Sequence, residues 1–178
     1  WLEFGDIGPI LGQTSRESRL CGGEFTLGSE TIRATVIGAG CHSAQLSGST
    51  VFHQNVPFPL KNVPVVSLTD ISRETIRREL GKQEDSAILA FPGINSPGYR
   101  EVAAMAEEIA AGTGGNALIC LEQDMAKALG QALALRLGPN AEILCIDRVK
   151  VSEGSYLDVG APVGPALPVV VKTLVLGK

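Results

Sequence analysis

The chain reads as an α/β protein, with a mostly parallel sheet and flanking helices. Three observations point there. Between residues 84 and 150 the apolar runs 86–91 (SAILAF), 117–121 (ALICL) and 142–146 (EILCI) alternate with two helix-patterned segments, a βαβαβ unit. Apolar residues run through those strands without alternating, the pattern of strands buried on both faces, and strand–helix–strand connections favour parallel pairing. Composition agrees: 44% of residues are hydrophobic and 19% charged, below the roughly 25% charged of an average soluble domain. A chain of 178 residues buries about 70% of its unfolded surface, enough for one good core or two small ones.

The elements follow in order. Residues 6–20 (DIGPILGQTSRESRL) have Asp6 as a helix N-cap, Pro9 in the first turn and Cys21-Gly22-Gly23 as a stop. Residues 31–37 (TIRATVI) are β-branched and read as a strand entering the glycine loop Gly38-Ala39-Gly40. A short strand fits 49–53. Residues 56–66 hold Pro57, Pro59 and Pro64, so they read as an extended connection or an edge strand. Residues 71–80 (ISRETIRREL) form a helix ended by Gly81. Asp70 and Glu74 at its start, and Arg77, Arg78 and Lys82 at its end, complement the helix dipole.

After the strand at 86–91 comes a turn-rich stretch, 92–98. The helix at 99–111 puts Val102, Met105, Ala106 and Ile109 on one face and stops at the GTGG run 112–115. After the strand at 117–121, Asp124 caps a helix through Leu137, with Met125, Leu129, Leu133 and Leu137 at i, i+4 spacing. Gly138-Pro139 ends it before the strand at 142–146, and a last strand reads at 169–175.

Charge excludes several functions. With 15 Lys+Arg against 19 Asp+Glu the net charge is −4 and the pI about 5.2, so no cation excess drives binding to nucleic acid or an anionic membrane. The deficit is local: residues 34–60 hold no charged side chain over 27 positions, and 31–69 hold no carboxylate. Polar residues interrupt that stretch too often for a membrane span. No signal peptide opens the chain, and its start at Trp1 reads as the middle of a longer protein. Cys21, Cys41, Cys120 and Cys145 lie 20, 79 and 25 positions apart. That spacing argues against a structural zinc site or a disulfide framework, and Cys120 and Cys145 read as small buried hydrophobes.

Val36 to Ala44 (VIGAGCHSA) invites a dinucleotide-binding reading, which two features oppose. Ser43 stands at the third fingerprint position, and the ribose-binding carboxylate expected about 20 residues on falls in the carboxylate-free stretch. No phosphate-loop lysine motif is present. Cys41 and His42 are adjacent and so point apart in an extended chain. His42 and His53 have no carboxylate near them in sequence, and read as buried polar contacts rather than metal ligands. Glu122 and Asp124, at a strand's C-terminal end, read as a loop charge and a helix cap. What remains is glycines followed by Ser43, Gln45 and Ser47: either a packed turn, or a wall where a flat nucleoside meets bare backbone and its edge is read by donors and acceptors.

Three stretches resemble the EutA family, the reactivating factors of ethanolamine ammonia-lyase: residues 31–52 (TIRATVIGAGCHSAQLSGSTVF), 121–133 (LEQDMAKALGQAL) and 156–176 (YLDVGAPVGPALPVVVKTLVL). The resemblance runs from the first residues to the last. It implies an actin-like ATPase fold of ribonuclease H-like topology, with residues 1–178 as the C-terminal lobe of a longer protein. It also implies a bacterial, cytoplasmic chaperone associated with a microcompartment, which uses ATP and Mg²⁺ to release damaged cobalamin from the lyase. Cobalamin would be handled through the partner enzyme, and nothing implies nucleic-acid or membrane partners. Gly38, Ala39, Gly40, Ser43 and Gln45 match the place of the adenosine motif; no catalytic or metal-binding residue carries over. The superfamily's phosphate turns have one distant match, Asp6-Ile7-Gly8-Pro9, where Pro9 lacks an N–H, so this run reads as a helix start. The expectation is therefore a fragment that is inactive alone, within a full-length ATP-dependent reactivase. Two alternatives are a non-catalytic interaction module with vestigial nucleotide binding, and an unrelated small-molecule enzyme on a Rossmann-like sheet.

Overall fold

A computed structural model describes residues 8–18, 42–46, 51–164 and 166–173. The chain divides into two compact units, Trp1–Ile37 and Gly38–Lys178. The expected strand at 31–37 lies outside the described residues. In the first unit helix α1 spans Gly8–Glu17, with Pro9 second, where its missing N–H costs nothing.

The second unit contains strands β1 (His42–Leu46), β2 (Phe52–Gln54) and β3 (Leu60–Ser67), then helix α2 (Arg73–Leu80) and β4 (Ile88–Phe91). Helix α3 (Tyr99–Thr113), β5 (Ala117–Leu121), α4 (Ala126–Leu137), β6 (Ile143–Ile146), β7 (Ser155–Val159) and β8 (Pro168–Thr173) follow. The strands form one eight-stranded sheet in the order β1-β8-β7-β3-β4-β5-β6-β2. Strands β3, β4, β5 and β6 are parallel, and β1, β8 and β7 on one side and β2 on the other pair antiparallel. This is the expected α/β class, a parallel core with flanking helices, and it is consistent with an actin-like lobe.

The order β3-β4-β5-β6 never reverses, so right-handed crossovers put α2, α3 and α4 on the same face. The core shows it. Ile76, Ile109, Leu129 and Leu133 from the helices pack with Leu89, Ile119, Leu121 and Ile143 from one face of the parallel strands. The other face, Ile88, Ala90, Leu118, Leu144 and Ile146, packs instead against Leu157, Val159, Val169 and Val171 of β7 and β8. The sheet therefore curls, and its antiparallel strands cover the side that a doubly wound fold would give to helices.

Proline placement corrects one expectation. Strand β3 is interior, although it contains Pro64. Pairing to β7 runs from Leu60 to Pro64, and pairing to β4 begins only at Val65. Pro64 thus has a neighbour on one side alone, the local equivalent of an edge. Strands β1 and β7 are additions to the elements expected from the sequence.

Helix α2 starts at Arg73, two residues later than the expected 71. Ser72 is its N-cap, accepting from the Thr75 N–H, while Asp70 accepts the Ser72 and Thr75 hydroxyls and is held below its usual carboxyl range chiefly by the Ser72 bond. Two arginines of α2 are tied to α3. Arg73 makes a bidentate pair with Glu108 of α3 at 2.6 and 3.1 Å, and Arg77 donates to the Ala111 carbonyl at 2.7 Å. Gly112 lies inside α3 rather than ending it, because a Cβ there would come within 2.7 Å of Ile76. The left-handed residue that stops α3 is Gly114 (φ 70°).

Candidate functional site

The C-terminal ends of parallel strands open onto the crevice where α/β proteins place ligands. Here that crevice is formed by Ser67 and Leu68 at the end of β3, Phe91 and Pro92 at the end of β4, Cys120 and Glu122 around the end of β5, and Val149. Its volume is about 150 Å³, half the lower end of the 300–1,000 Å³ typical of small-molecule sites. By itself it holds a few waters, not a nucleoside or a cofactor.

The loops around it are cross-linked. Gln123 N–H donates to the Pro92 carbonyl at 3.0 Å and Val149 N–H to the Leu121 carbonyl at 3.3 Å. Asp147, fully buried at the end of β6, accepts the Ala126 N–H at 3.0 Å and so caps α4 from another strand. Arg148, in the left-handed region at φ 60°, pairs with Asp124 at 2.6 Å. These bonds correct the expected cap: Asp124 faces Arg148, and the α4 N–H goes to Asp147. The signal available in sequence was a carboxylate directly after an apolar strand, but a cap contributed from 21 residues away leaves no local pattern. The crevice is thus rigid and preformed, with exposed Glu122 at its rim.

Its chemistry is limited. The Cys120 Sγ donates to the Val149 carbonyl at 3.8 Å, and burial pushes its pKa up to about 12. Burial raises Cys145 as well. Both are free thiols inside the core, as expected, and neither is a nucleophile at neutral pH. His53 departs from expectation: it is exposed on β2 and meets Phe58 edge to face at 5.5 Å. Among the described residues no group of three or more His, Cys, Asp or Glu is placed to hold a metal ion.

A larger cleft of about 410 Å³ lies at the opposite, N-terminal ends of β4 and β5, lined by Asp85, Ser86, Thr113, Asn116 and Glu142 among others. Its charged lining residues are both carboxylates, and the carbonyl end of α3 adjoins them. That is the wrong sign for a phosphate.

Of the residues expected to face adenosine, Gly38, Ala39 and Gly40 lie outside the described residues. Ser43 and Gln45 stand on β1, directly opposite Val171 and Val169 of β8, so they belong to a strand rather than a loop. Gly8 and Pro9 open helix α1, which is a helix start and not a phosphate turn. The described residues therefore offer neither a phosphate cradle nor carboxylates arranged for Mg²⁺, and no step through a nucleotide is derived from them. No helix among them is long and apolar enough to cross a membrane.

Comparison with known proteins gives a direct result. Residues 1–177 match the family described as ethanolamine utilisation protein EutA. The chain is 36% identical, over 186 aligned positions, to the ethanolamine ammonia-lyase reactivase EutA of Salmonella typhimurium, and 35% identical to that of Escherichia coli. Each match covers 96% of this chain and 40% of the relative. No solved structure matches. The chain spans two fifths of the length of these relatives, and it belongs to the EutA family.

Proposed function

We propose that this chain is the C-terminal lobe of a reactivating factor for ethanolamine ammonia-lyase, a chaperone of ethanolamine breakdown. The observation that carries this reading is the identity of 35–36% to two proteins named ethanolamine ammonia-lyase reactivase, sustained over 96% of the chain. The whole protein uses ATP with Mg²⁺ to drive release of damaged cobalamin from the lyase, so that intact adenosylcobalamin binds in its place. ATP supplies the free energy of that release. Gly38, Ala39 and Gly40 let the adenine meet backbone without an intervening Cβ, and Ser43 and Gln45 supply donors and acceptors for its edge. The protein works in the bacterial cytoplasm, associated with the microcompartment that houses the lyase.

Three features support a division of labour between lobes: the crevice is small, the large cleft is acidic, and Gly8 and Pro9 are helical. The phosphates and Mg²⁺ are then held by the other lobe, and this lobe contributes one wall. The expected outcome is that cyanocobalamin-blocked lyase regains activity with full-length protein, adenosylcobalamin and ATP–Mg²⁺, and stays blocked when ATP is omitted. Calorimetry should show ATP binding to the full-length protein, weakened by Gly40→Val, and little or none to residues 1–178 alone. Reactivation that proceeds equally without nucleotide would favour a second reading, a docking module with vestigial nucleotide binding. The same small crevice, and the lack of a phosphate cradle among the described residues, motivate it.

A further inference from the structure

We draw no further inference here: the strongest candidate, the cleft of about 410 Å³ at the N-terminal ends of β4 and β5 with Asp85 and Glu142 in its lining, rests on a pair of carboxylates, and no second feature among the described residues shows what ligand would fill it.

Discussion

Side-chain pairs that join elements carry the most testable consequences at the residue scale. Glu108 receives two bonds from the Arg73 guanidinium and one from the Arg73 backbone N–H, and these hold its carboxyl at about 2. In the unfolded chain it titrates near the usual ~4.3. A folded-state pKa below the unfolded one means the contribution is fully present above ~4.3 and is lost as pH falls through about 2. The expected outcome is that wild type and Glu108→Gln differ in urea stability at pH 6 and converge as pH drops toward 2; a difference that does not change with pH would contradict the pairing. Cys120 and Cys145 give a second check. With burial holding both thiols protonated, neither should react with iodoacetamide at pH 8 in the native protein, and both should react after denaturation.

The close approaches are made by glycines at the scale of elements. Helix α4 passes over β2 so tightly that a Cβ on Gly130 would collide with the Phe52 ring. Strand β2 is only three residues long, and beyond that ring it is held by Gln54 and Asn55, whose side-chain amides donate to carbonyls at Gly138, Pro139 and Ala141. Gly130→Ala is expected to destabilise by about 1–3 kcal/mol, because overpacking outweighs the better helix propensity of alanine. Chemical denaturation checks it, and a stabilised variant would mean that β2 gives way freely. Most elements were legible in sequence: α3, β5, α4 and β6 have apolar periodicities long enough to read locally. Strands β1 and β7 were not. The segments HSAQL and SYLDV carry no clear apolar pattern of their own, and they become strands because β8 supplies a partner on which to pair.

At the scale of the molecule, the curl of the sheet decides stability. Leu157 of β7 is fully buried against residues of β4, β5 and β6 rather than against a helix. Leu157→Ala should therefore cost about 2–5 kcal/mol and lower the single melting transition of the unit. A second transition, or a loss below about 1 kcal/mol, would mean that the antiparallel strands fold as a separate layer. The sequence by itself determined the α/β class, the parallel core, the helix faces, the burial of Cys120 and Cys145, and the family, because each of these is written in local periodicity or in extended similarity. The tertiary structure decided what local pattern cannot encode: Pro64 in an interior strand, Asp147 capping a helix from another strand, Arg73 and Arg77 of α2 committed to α3, and a C-terminal crevice too small for a nucleotide. Each depends on groups far apart in sequence being brought within a few ångströms, and only the packed fold sets those distances.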